Sequence, residues 1–261
     1  MAERTFFGTL RIAILLAVLI FVALGAWLDK RRSTDWDAAL RVTVYPIAAS
    51  ADAATTGYVA SLEEADFDAL EVFFADEARR HGLALDEPVR VRLSRAAPGR
   101  PPAAPSDPGP FSVAAWSLRL RYWAWRVAAN DPLPTPDVQV FALYHAPDGG
   151  RAVPDSLGLS KGLVAVTHLY ADPRARGSNH VVLAHELLHT LGATDKYALT
   201  TGQPLEPIGL GDPDQSPLYP QRAGEIMAGR VAVNAREAVI PDHLQQMIVG
   251  PATAREIGWS E

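Results

Sequence analysis

The segment His185-Glu186-Leu187-Leu188-His189 is where residue types and spacing most directly spell chemistry. On a helix, residues four apart share one face, one turn apart, so both imidazoles can reach a single cation. Zinc suits such a pair, because it accepts imidazole nitrogens and carboxylate oxygens in a tetrahedral arrangement. Glu186 stands beside a ligand but off the metal, where a carboxylate can take a proton from water rather than bind the ion. Val182, Leu183, Leu187, Leu188 and Leu191 would seat this helix in a core and hold the ligands rigidly. The competing reading is a buried helix with two hydrogen-bonded histidines. The next six residues of the chain weaken it. Gly192 stands where a helix must break for the chain to turn back, and Asp195 comes three residues later. A third ligand arriving after a glycine turn gives a three-ligand site with one position open, the pattern of catalytic zinc.

The string HELLHTLGATDKY, residues 185–197, resembles the extended zinc motif of the metzincin peptidases, in the HExxHxxGxxD variant shared by snapalysin-like members. Gly224-Glu225-Ile226-Met227-Ala228-Gly229 resembles the methionine turn of that clan, with Ile226 where the clan more often carries Ser. The resemblance implies an α+β, zincin-like fold: a mixed twisted sheet, an active-site helix carrying HExxH, and a Met-turn. It implies that His185, His189 and Asp195 ligate Zn2+, that Glu186 is the general base and later the proton donor to the leaving amine, and that Met227 is a structural floor. The expected activity is that of a zinc-dependent endopeptidase, a hydrolase acting on peptide or protein substrates. The alternative is a non-catalytic, zinc-stabilised, membrane-anchored binding or scaffold protein; an intact Glu186 favours the enzyme.

Other residues carry weaker expectations. Tyr197, close to the ligands in sequence, is a candidate oxyanion stabiliser. Glu206 and Glu225 are rival third ligands if the site is of the gluzincin kind. His168 falls on the strand before the active helix, His180 at a solvated helix start, and His243 at a helix start with a capping-region role.

The elements that must position these groups read as strand, helix, strand, helix, strand, strand, helix, irregular segment, helix. Strands are expected at Leu40–Ile47, Val89–Leu93, around Val138–Ala142 and at Leu163–Leu169. Ser61-Leu-Glu-Glu64 has a capping-box spelling and opens a helix that Gly82 stops. Ser112–Ala129 carries Trp116, Leu120, Trp123 and Val127 at helical spacing. Ser178-Asn179 caps a helix from about His180 to Leu191. Pro241–Ile257 has helix signals interrupted by Gly250-Pro251. This order predicts a single domain with helices packed on a mixed sheet.

Composition bounds the rest. The 261 residues are 48% hydrophobic and 21% charged, enough for one good-sized core. The 24 Lys and Arg are dispersed and the net charge is -6, so a nucleic-acid partner is not expected. With no cysteine, disulfides, Cys-type zinc sites and thiol nucleophiles are excluded. The run from Ile12 to Leu28 has no charge and is flanked by Arg4, Arg11, Lys30, Arg31 and Arg32. It reads as an uncleaved transmembrane anchor, with a signal peptide as the rival. The expected organisation is a tail at 1–11, the anchor at 12–28, a tether at 29–40 and a metzincin-like catalytic domain at 41–261. This makes a single-pass membrane protein with its catalytic part outside the cytoplasm, or a secreted one after signal cleavage.

Overall fold

The computed structural model describes residues 35–96, 99–107, 109–147, 156–159 and 163–260. Five strands form the central sheet: β1 (Leu40–Ala48), β2 (Val89–Leu93), β3 (Val138–His145), β4 (Leu157–Leu159) and β5 (Val164–Tyr170). Their order is β2-β1-β3-β5-β4. The first four strands in that order are parallel, and β4 lies antiparallel along β5 at the edge. The α+β class and the mixed sheet expected from sequence are therefore present. The sequence pattern misses β4, a three-residue edge strand too short to show a period.

The inner parallel strands β1, β3 and β5 are covered on both faces, so their side chains are largely apolar on both, whereas the edge strand β2 exposes Arg90 and Arg92. Successive residues of β1 illustrate this: Val42 and Val44 enter one core, Tyr45 and Ile47 belong to the other. The first core is closed by three helices, α1 (Ala53–Ser61), α2 (Asp68–Arg80) and α4 (Arg176–Leu191). The second is closed by α3 (Pro110–Ala129), which contributes Leu120 and Ala124, with Trp116, Trp123 and Val127 packed against them. A short α5 (Pro251–Glu256) completes the first core near the carboxyl end, where Trp36 Nε1 donates to the carbonyl of Ile257 at 2.7 Å.

Two helix starts differ from expectation. Ser61 ends α1 rather than opening a helix, and the capping box is formed by Glu63 and Asp66 around a 3-10 turn that leads into α2. The α1 helix itself carries no amphipathic signal strong enough to announce it. The metal-motif helix α4 begins at Arg176, before the expected His180, because a 3-10 turn over Pro173–Ala175 feeds directly into it. Asn179 is no cap: its amide bonds both the N–H and the carbonyl of Tyr170, tying α4 to β5. His180 is buried, not solvated, packed near Phe67. The segment 241–257 is mostly irregular, with a 3-10 turn at Leu244–Gln246, the short strand β9 (Met247–Ile248) and then α5.

The single-pass membrane assignment is corrected. Among the described residues no helix is long and apolar enough to cross a membrane. The run at 12–28, like the tail and half of the tether, lies outside the described residues.

Candidate metal centre

Helix α4 holds the two histidines because its inner face is anchored by Val181, Leu183, Ala184, Leu187, Leu188 and Leu191, all buried in the larger core. Its start lies hard against the loop before the 3-10 turn at 244–246. A Cβ added at Gly177 would fall 2.0 Å from the carbonyl oxygen of Asp242, so only glycine permits this approach. Its end is the glycine stop expected from sequence. Gly192 adopts φ 106°, and the N–H groups of Gly192 and Ala193 donate to the carbonyls of His189 and Leu188. This reversal brings the chain back so that Asp195 faces the histidines.

His185 Nδ1 lies 3.0 Å from the carbonyl oxygen of Ile226, and His189 Nδ1 lies 2.8 Å from that of Ala193. A carbonyl only accepts, so each Nδ1 carries the proton and each Nε2 is left to face inward. The two Nε2 atoms are 3.0 Å apart, and Asp195 Oδ1 lies 3.3 Å from one and 3.1 Å from the other. Among the described residues this is the group of three whose donor atoms converge within 4.8 Å. Ligands of a tetrahedral zinc, each ~2.0–2.1 Å from the ion, stand ~3.3 Å from one another. The cluster matches that spacing, and the carbonyl bonds to Nδ1 are the outer contacts that orient metal-binding histidines. The residues therefore fit zinc.

The electrostatics treat the two histidines oppositely. Burial disfavours the charged form of His185, but the Asp195 hydrogen bond, the Glu186 charge and the Ile226 carbonyl outweigh it and raise its pKa. Burial lowers the pKa of His189, and the neighbouring charge of His185 adds to this. The hydrogen bond to His185 holds the Asp195 carboxyl below its ordinary value, against a partial desolvation.

Glu186 and Tyr197 line a cleft of about 460 Å³ that also exposes His185, His168, Tyr170 and Arg230. Glu186 is 6% exposed, and the Tyr197 ring lies 6.5 Å from the His185 ring, centre to centre. His168 joins the cleft from β5, with its Nδ1 2.8 Å from His145 Nε2. Desolvation, followed by the charge of Arg100, lowers the pKa of His145.

Met227 sits fully buried in a 3-10 turn, Ile226–Ala228, that comes after the short strand β6 (Gly224–Glu225). That turn supplies the carbonyl on His185. The rival third ligands are placed elsewhere. Glu225 accepts from Met227 N and Ala228 N at 2.6 and 3.1 Å, and from Gly250 N and Thr253 Oγ1 at 3.2 and 2.6 Å. Desolvation raises the pKa of this buried carboxyl, and those donors pull it back. Glu206 bonds the Tyr219 hydroxyl at the surface. His243 begins the turn at 244–246 without a side-chain cap.

A second set of residues is beyond the reach of sequence reasoning. The Lys196 side chain, 2% exposed, donates to both carboxylate oxygens of Glu256 at 2.9 and 2.8 Å and to the carbonyl of Thr194 at 2.8 Å. Glu256 also accepts from Thr194 N and Oγ1 at 2.9 and 2.8 Å. Both neighbours of Asp195 are thus pinned to α5. Lys196 is visible as the residue after the ligand; Glu256, sixty residues on, offers no local signal.

No protein-family model matches the chain, and no curated protein matches it.

Proposed function

We propose that this chain is a zinc-dependent endopeptidase of metzincin-like architecture, with residues 41–261 as its catalytic domain. The observation that carries the reading is the convergence of two inward-facing Nε2 atoms and one carboxylate oxygen at tetrahedral-ligand spacing, beside a buried glutamate in an open cleft. His185, His189 and Asp195 would hold the ion. When bound there, zinc supplies Lewis acidity, polarising a scissile carbonyl and lowering the pKa of a water towards ~7.

The remaining work falls to the protein. The peptide lies in the cleft between β5 and the turn at 226–230. Glu186 takes the proton from the attacking water and returns it to the leaving amine. Its place on the helix, next to a ligand whose ring is fixed by the Ile226 carbonyl, keeps that carboxylate on the cleft wall. Tyr197, also on that wall, donates its hydroxyl to the carbonyl oxygen as negative charge develops. Met227 and its turn serve as a floor that presents the Ile226 carbonyl to His185.

Chelation and reconstitution of the full chain test this. Cleavage of casein should disappear when the metal is stripped and return with one equivalent of zinc, but not in Asp195→Ala. Undiminished cleavage after exhaustive metal removal would refute it.

A further inference from the structure

Arg230 stands directly after the turn that carries the Ile226 carbonyl, next to Gly229 in the left-handed region at φ 66°. Its backbone is held on both sides. Gly229 N donates to the carbonyls of Glu225 and Ile226, and beyond Arg230 the chain enters β7 (Val231–Asn234), paired with β8 (Glu237–Val239). The side chain reaches back over the loop after Tyr197: a methyl placed on Gly202 would lie 3.7 Å from Arg230 Nε and 3.8 Å from Cζ. The residue is half-buried and lines the same cleft as His185 and Glu186.

Its charge is unanswered. Arg41, Arg79, Arg80, Arg90, Arg92, Arg174 and Arg176 each pair with a carboxylate; of the described arginines that pair with none, Arg121 and Arg230 are partly buried and the rest exposed, and of these two Arg230 lines the cleft. Among the described residues Arg230 has neither an ion pair nor a side-chain hydrogen bond, and Glu186 is the sole carboxylate lining the cleft. A guanidinium is charged at every working pH and presents a fork of N–H donors that matches a carboxylate. One held partly out of water without a counter-charge favours a ligand that brings one.

We propose that Arg230 is the specificity residue of this cleft and selects peptides that place a carboxylate near the scissile bond. The carboxylate belongs to an Asp or Glu side chain or to a free chain terminus; the chemistry recognised is the same. This rests on the peptidase reading of the site.

The test is binding, measured by calorimetry on the full zinc-loaded chain carrying Glu186→Gln, so that peptides are held without turnover. End-blocked peptides with Asp scanned along the sequence are compared with their Asn and Lys counterparts, and free with amidated carboxyl ends. At one position Asp should bind about tenfold or more tighter than Asn. If the terminus is the source, the advantage tracks the free carboxyl end instead. Adding Arg230→Gln should erase the difference, and Arg230→Glu should turn it towards Lys. Because Arg230 makes no side-chain hydrogen bond or ion pair among the described residues, both variants should unfold close to the parent temperature. Equal binding of Asp, Asn and Lys peptides, an acidic preference that survives Arg230→Gln, or no peptide binding at all would overturn the proposal. If the native chain cleaves peptides without such a preference, the inference falls and the peptidase reading stands. If the Arg230-dependent preference holds while the native chain cleaves nothing, Arg230 is a carboxylate-binding residue, and the peptidase reading falls together with the role in choosing a scissile bond.

Discussion

The two faces of the central sheet are built on different terms. On the face covered by α1, α2 and α4, the core is threaded with buried polar groups held by directional bonds. Glu225 is ringed by three N–H groups and a hydroxyl, Lys196 is locked on Glu256, and Asn179 bridges both backbone groups of Tyr170. On the other face, α3 packs chiefly by volume: Trp123 and Tyr45 lie about Phe141 at 4.4 and 5.0 Å. The outer side of α3 even leaves Leu118, Tyr122 and Trp125 more than 60% exposed. Apolar packing fills space but tolerates substitutions of similar volume. Directional bonds fix atoms, and an unmet buried group is costly. The candidate centre lies on the face where position is fixed by bonds.

The largest effect is expected at Glu186. Glu186→Gln should keep the fold and the zinc and lower peptide cleavage about a thousandfold, as loss of a general base does; steady-state kinetics on an equal amount of zinc-loaded protein decides it. Next is Glu225→Ala, which strands several buried donors. It should cost about 4 kcal/mol in urea unfolding and, by loosening the turn that holds the Ile226 carbonyl, weaken zinc binding as well. An unchanged unfolding midpoint would show that the bonds do not fix the turn.

Glu256 sharpens the contrast through pH. Partial burial would raise its pKa, but Lys196 and Thr194 outweigh this and hold it low. A carboxyl depressed in the folded state stabilises fully above its unfolded pKa, and that contribution disappears as pH falls through the lower folded value. Glu256→Ala should therefore lower stability by about 2 kcal/mol at neutral pH, with the difference from native shrinking in acid; a gap constant from neutral pH down to the lower limit of folding would contradict it. The smallest effect belongs to the opposite face. Trp125→Ser on α3 should change stability by no more than about 0.5 kcal/mol and leave zinc content untouched. A large loss there would mean that the exposed stripe is covered by something and is not a tolerant surface.

The same distinction decides how much of the molecule is legible in its sequence. The four longer strands of the sheet and α3 are legible because apolar periodicity reports volume on a face. The cluster is legible because His185, His189, Gly192 and Asp195 are local: one helix turn and one glycine reversal place them. The network that steadies them is not, since Glu256, Thr253 and Gly250 meet Lys196 and Glu225 only after the chain has folded back on itself. Glu225 reads as a possible ligand because a carboxylate near a metal motif has the same spelling whether it binds an ion or backbone amides. His180 reads as solvated because the turn at 173–175, which leads into α4 four residues before that histidine, carries no strong helix signal, and Phe67, against which it packs, is far away in sequence.

The central claim is that three converging donors form a zinc site that Glu186 turns to catalysis. Zinc content and peptide cleavage of the native chain, measured beside Glu186→Gln, test it most directly. One zinc per chain is expected in both, with cleavage in the native protein alone. A native chain that binds no zinc would contradict it at its root.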